Sequence, residues 1–113
     1  FINKDMLDLN MDSEFDFIVM GEVIEHVEDP ESLLIKISKL LSKNGKAFLS
    51  TCVNCPMIDH IYHFHTVDEI KKMFNDCGLH IESEKVLPAE KMSTAEAIEK
   101  NITINYSAIV KRY

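Results

Sequence analysis

The sequence predicts an α/β domain built on a largely parallel sheet, and three observations predict it. A near-continuous apolar run, Phe15-Asp16-Phe17-Ile18-Val19-Met20, ends at Gly21; a helical pattern follows, then a second apolar run, Lys46-Ala47-Phe48-Leu49-Ser50. Such unbroken runs suit strands buried on both faces, as in parallel sheets. Strand, helix and strand joined by short links form a crossover unit, which sets the two strands parallel. With 113 residues, 46% of them hydrophobic and 27% charged, the chain has the size and composition of one soluble globular domain.

Each element has a local reason. Phe1-Ile2-Asn3-Lys4-Asp5 reads as the tail of a strand with Asp5 just past its end, and 6–14 as a polar connection. Residues 15–20 form the next strand. Asp29 can cap free amides and Pro30 fits the first helical position, so a helix starts there. Leu33, Leu34, Ile37, Leu40 and Leu41 recur at helical spacing and make one apolar stripe. Asn44-Gly45 supplies a left-handed exit, and Lys46 opens the following strand. A loop rich in cysteine and histidine occupies 52–65. Thr66-Val67-Asp68-Glu69 is a capping box, and the helix it opens buries Ile70, Met73, Phe74 and Cys77 before Gly78 closes it. Leu79 to Leu87 is a strand, 88–100 a polar excursion with a short helix at 94–100, and Ile102–Val110 a last strand. That last strand is antiparallel to its neighbours, because the segment before it is too weakly helical for a full crossover.

Charge and composition narrow the function. The net charge is -7 and the basic residues are dispersed in sequence, Lys111-Arg112 being the densest pair, so a nucleic-acid backbone is not an expected partner. No run of apolar residues is long enough to cross a membrane, and no membrane association is expected. Three cysteines without a secretory cue read as reduced thiols, which points to the cytoplasm. The chain does not begin with methionine, which suggests an upstream part is missing.

Chemistry concentrates at two places. In open α/β sheets ligands bind beyond the carboxyl ends of the strands, where Gly21-Glu22-Val23-Ile24-Glu25-His26-Val27 follows the strand at 15–20. Gly21 lets backbone approach a ligand, Glu22 can meet a positive amino group, and His26 can move a proton. Their bland alternatives are a strand-ending turn and a histidine packed on the next helix. The second place is Cys52-x2-Cys55-x4-His60-x2-His63, with His65 behind it, whose ligand types could build a tetrahedral zinc site. Against zinc, Cys52 ends a strand the crossover already explains, Pro56 restricts convergence, and the apolar stripes supply a core without a metal staple. Cys77 on an apolar helix face reads as a packed core thiol.

In order, Lys4-Asp5-Met6, Phe15-Asp16-Phe17-Ile18-Val19, Glu22-Val23-Ile24-Glu25-His26-Val27, Leu40-Leu41-Ser42-Lys43-Asn44-Gly45 and Phe64-His65-Thr66-Val67-Asp68-Glu69-Ile70 through Cys77-Gly78-Leu79 resemble a known pattern. The pattern is that of class I S-adenosylmethionine-dependent methyltransferases, of the small-molecule type that acts in ubiquinone biosynthesis. The resemblance covers roughly residues 1–87, with Asn44 replacing the first glycine of the family's turn. It implies a Rossmann-like sheet, present here as the C-terminal half, without the glycine-rich loop and the acidic ribose-binding residue that precede these segments in the family. It also implies S-adenosylmethionine as cofactor and methyl transfer to a small-molecule acceptor. By the same resemblance Asp5 and Met6 would meet the adenine, and Met20, Gly21 and Glu22 the rest of the cofactor. Asp59, His60 and His63 would face the acceptor as catalytic residues, with Glu25 and His26 as further acceptor contacts and no metal. A lone half-domain would bind cofactor poorly, and its unpaired strand edge would favour self-association. The rival readings are a zinc-stabilised binding module on the 52–65 loop and a non-catalytic relative that uses the fold as scaffold.

Overall fold

The computed structural model describes residues 15–54, 64–88, 93–99 and 102–112. The elements run β1 (Phe15–Gly21), a 3-10 turn (Ile24–His26), α1 (Pro30–Leu40), β2 (Leu41–Val53), α2 (Val67–Asp76), β3 (Leu79–Pro88), α3 (Thr94–Glu99) and β4 (Ile104–Arg112). The strands form one sheet in the order β1-β2-β4-β3. β1 and β2 are parallel, as the crossover requires, and β4 lies antiparallel between β2 and β3. The last strand therefore inserts into the sheet as expected from its weak connector, shifted to begin at Ile104.

Both main helices are set by local chemistry. The Asp29 carboxylate accepts from the Ser32 amide at 3.1 Å and from the Ser32 hydroxyl at 2.6 Å, with Pro30 in the first turn. These bonds hold the Asp29 carboxyl below its usual range. Thr66 Oγ1 accepts from the Glu69 amide at 3.2 Å, but Glu69 reaches back to the amide of His65, not of Thr66. The capping box is thus displaced by one residue on its return arm. The residues of both apolar stripes are buried: Leu33, Leu34, Ile37, Leu40 and Leu41 in the first, and Ile70, Met73, Phe74 and Cys77 in the second.

Three expectations are corrected. α1 ends at Leu40, and Leu41 is already extended (φ -71°, ψ 135°), so the chain passes straight from helix into strand. Tertiary pairing decides this: Leu41 aligns with Phe15 on β1, and its carbonyl accepts from Arg112 Nη1 at 2.9 Å. Gly45 accordingly has no left-handed backbone; its lack of a side chain serves close approach, since a Cβ there would lie 2.7 Å from the Phe15 carbonyl oxygen. The left-handed exit is instead at Gly78, with φ 85°. Finally, β1 is not buried on both faces. Ala47, Leu49, Ala108 and Val110 join Leu34, Ile37 and Phe74 in a single cluster, so α1 and α2 cover the same face of the sheet. On the other face Phe17 and Val19 remain 54% and 67% exposed, and among the described residues β1 pairs with β2 alone.

Candidate functional site

The parallel pair β1 and β2 delivers two chain segments to the same end of the sheet. Gly21 aligns with Ser50, and the Glu22 amide donates to the Ser50 carbonyl at 3.0 Å, so the turn after β1 is fastened to β2. Glu22 takes a left-handed backbone, φ 56°, which costs a non-glycine residue on the order of 1 kcal/mol. That conformation turns the chain sharply into the 3-10 turn, closed by the His26 amide donating to the Val23 carbonyl at 2.9 Å. Gly21 and Glu22 are exposed at this corner, as a ligand contact requires.

Glu25 is placed differently from expectation. An open contact to substrate needs an exposed carboxylate, but this one is 1% exposed. Its Oε2 accepts from the Thr51 hydroxyl at 2.6 Å, a charge-assisted bond between two buried groups. Its Oε1 is buried without a hydrogen bond and lies 3.8 Å from Nε2 of the half-buried His26. Cys52, the residue after Thr51 on β2, brings its thiol to the same spot, and the donor atoms of Glu22, Glu25 and Cys52 lie within 4.8 Å of one another. Two carboxylates and a thiolate are a donor set for a divalent cation, with zinc favoured by the sulfur. Cys52 therefore faces the glutamates; Cys55, His60 and His63, its partners in the sequence-based zinc pattern, lie outside the described residues.

Of the remaining predicted residues, Met20 is 5% exposed and packs in the core beneath the corner. It supports the site from below and lines no open surface. Asp5, Met6 and Asp59 lie outside the described residues. Val53 and Phe64 form a parallel bridge, and the Asn54 amide donates to the Phe64 carbonyl at 3.0 Å. Asn54 is itself left-handed, φ 54°, its carbonyl accepts from Thr103 Oγ1 at 2.9 Å, and its Nδ2 is buried without a hydrogen-bond partner.

Sequence reasoning missed Thr51, Asn54 and the orientation of Cys52. The signal for Thr51 and Cys52 was available, because both stand at the carboxyl end of the strand paired with β1, where ligands bind. Cys77, by contrast, behaves as read. It is buried, and burial, reinforced by the negative charge of Glu31, pushes its thiol up to about 11, leaving it inert.

Comparison with known proteins agrees with this geometry. A family profile described as "Methyltransferase domain" matches residues 3–84. A ubiquinone biosynthesis O-methyltransferase of Pseudoalteromonas translucida is 25% identical over 105 residues, covering 89% of this chain and 44% of that protein. The protein of the same name from Psychrobacter cryohalolentis is 30% identical over 104 residues, covering 88% of this chain and 40% of its own length. The chain thus spans about half the length of the curated relatives it matches. Among solved structures, the cyclase SpnF superposes with a TM-score of 0.73 at 9% identity, covering 96% of this chain and 54% of that one. The 1,6-didemethyltoxoflavin-N1-methyltransferase of Burkholderia thailandensis gives 0.68 at 14% identity, covering 97% and 50%. Likenesses at such identity show the fold, and a cyclase beside a methyltransferase shows that one fold serves more than one chemistry. With the family profile spanning most of its length, and with its strand order and its polar corner beyond β1 and β2, this chain belongs to the methyltransferase-domain family and carries part of its Rossmann-like fold.

Proposed function

We propose that this chain is the C-terminal half of a methyltransferase domain whose parent transfers a methyl group from S-adenosylmethionine to a small-molecule acceptor. The observation that carries the reading is the exposed Gly21-Glu22 corner at the carboxyl ends of two parallel strands, inside the segment matched by the family profile. The residues fit the cofactor's methionine end: Gly21 presents open backbone, and Glu22 offers a carboxylate to an ammonium group. Asp5 and Met6 would hold the adenine, and Met20 would support the middle of the cofactor from the core. Bound there, the cofactor supplies an electrophilic methyl group on a sulfonium centre, so the protein's task is alignment and removal of one proton. Asp59, His60 and His63 would orient the acceptor. Glu25, fixed by Thr51, lies 3.8 Å from Nε2 of His26, and His26 would be the group that takes up the acceptor's proton. The test is calorimetric titration of S-adenosylhomocysteine into the full-length gene product and into the 113-residue chain. Tight binding by the long form and weak or no binding by the short one is expected; no binding by the long form refutes the reading.

A second reading rests on the orphaned Glu25 Oε1. A buried carboxylate oxygen without a hydrogen bond, beside Glu22 and Cys52, is where a divalent cation would be held. Such a cation would lower the pKa of an acceptor hydroxyl and replace His26 as the agent of deprotonation. A zinc-dependent rise in melting temperature that Cys52→Ser abolishes would favour it; no shift with zinc, magnesium or manganese would refute it.

A further inference from the structure

The end of the sheet opposite the Gly21-Glu22 corner holds a cavity of about 540 Å3, lined by Lys43, Lys46, Lys111, Arg112, His80 and Glu82. These basic residues are dispersed in sequence, and the register of the strands gathers them. Lys46 on β2 is directly opposite Lys111 on β4, and Lys111 is opposite His80 on β3. Opposed residues share a face, and each of these three is exposed beside a neighbour that points into the helix-covered core (Ala47, Val110) or partly so (Ile81). The row therefore stands on the open face.

Like charges directly opposite each other destabilise a sheet. Among the described residues lining the cavity there are four permanent cations and one carboxylate, in a chain whose net charge is -7. Glu82 is the extra residue of a bulge between Ile81 and Ser83, and its Oε2 lies 2.9 Å from Lys46 Nζ. That contact, with the charges of Lys111 and His80 behind it, holds the Glu82 carboxyl below its usual range. Glu82 takes up one cation, and among the described residues lining the cavity no second carboxylate stands with Lys43 and Lys111.

The volume lies within the range of small-molecule sites, roughly 300–1,000 Å3, but the described residues that line it are all polar or charged. Lysine ammoniums are groups that recognise phosphate oxygens, and Arg112, its Nη1 bound to the Leu41 carbonyl, adds positive charge at the rim. The row from Lys46 to His80 spans two strand spacings, about 10 Å, which is wider than one phosphate needs. We propose that this cavity binds a multivalent phosphate ligand at a site separate from the cofactor corner. The two are set apart along β2, from Lys46 to Ser50 opposite Gly21, by roughly 13 Å. The proposal rests on strand register and charge, and stands or falls independently of the methyltransferase reading.

The test is calorimetric titration of pyrophosphate into the 113-residue chain, with a second arm measuring co-sedimentation with phosphatidic acid vesicles. Pyrophosphate binding that falls about tenfold in Lys43→Gln and in Lys111→Gln, and tightens severalfold in Glu82→Gln, supports the site with a soluble ligand. Vesicle binding alone, with the same dependence on the three variants, supports it with the phosphate on a lipid headgroup. Binding to neither, or binding that the variants leave unchanged, overturns it.

Discussion

Thr51→Val isolates the bond on which the buried half of the candidate site depends. Valine nearly keeps the shape of threonine but removes the hydroxyl that donates to Glu25 Oε2 at 2.6 Å. Both residues are almost fully buried, Thr51 at 0% and Glu25 at 1% exposed, so no water replaces the lost donor. Glu25 Oε1 already lacks a hydrogen bond, so the variant leaves the carboxylate with His26 at 3.8 Å as its remaining support. A hydrogen bond to a charged group contributes about 1.5–3 kcal/mol, and the expected loss is about 2 kcal/mol. For a chain of this length that lowers Tm by roughly 8 °C. The assay is urea unfolding of Thr51→Val, Glu25→Leu and the double variant, with the slope against urea checked for constancy. Replacing both partners by apolar groups removes the desolvation penalty as well as the bond, so the double variant should be more stable than the two single losses sum to, by about 1 kcal/mol or more. A Thr51→Val loss under about 0.5 kcal/mol, or strict additivity, refutes the claim that Thr51 holds Glu25.

Further outcomes follow from the same structure. Gly45→Ala should cost about 2 kcal/mol although its backbone angle is ordinary, because the new Cβ would lie 2.7 Å from the Phe15 carbonyl oxygen and 2.9 Å from Ser42 Oγ; urea unfolding checks this, and a neutral effect contradicts the close approach. Tyr106→Phe removes the 2.6 Å bond from the tyrosine hydroxyl to Glu84. That bond, ahead of the one from Lys71, holds the Glu84 carboxyl below its usual range. A depressed carboxyl contributes stability above its unfolded pKa of about 4.3 and loses it as pH falls through the folded value. Wild type should therefore exceed Tyr106→Phe by about 1 kcal/mol at pH 7, less any solvent screening of the half-open Glu84, and the gap should close at acid pH. Cys77, its thiol raised to about 11, should resist alkylation at pH 8 until urea unfolds the chain; rapid labelling of the folded protein contradicts its burial.

What the sequence revealed and what it hid separate along a physical line. Asp29, Pro30, Thr66 and the apolar stripes were legible because caps and helix periodicity depend on residues within one or two turns. The antiparallel last strand was legible because a weak connector cannot build a crossover. Asn44-Gly45 misled because its local preference for a left-handed turn lost to the pairing of Leu41 with Phe15 and to the Arg112 bond, contacts spanning 26 and 71 residues. The burial of Glu25 was hidden for the same reason, since its partner Thr51 is distant in sequence. Gly21 and Glu22 were singled out because the passage from strand to helix marks the place, and the structure leaves both exposed there. The basic row was invisible because dispersed residues become neighbours only once strand register is known.

The central claim is that the corner beyond β1 and β2 is where the cofactor binds. Hydrogen exchange of the full-length gene product, measured with and without S-adenosylhomocysteine, tests it most directly. The account predicts added protection at residues 20–27, with the end of the sheet around Lys46 and Lys111 unchanged. Protection that spares 20–27 while the ligand binds elsewhere would contradict it.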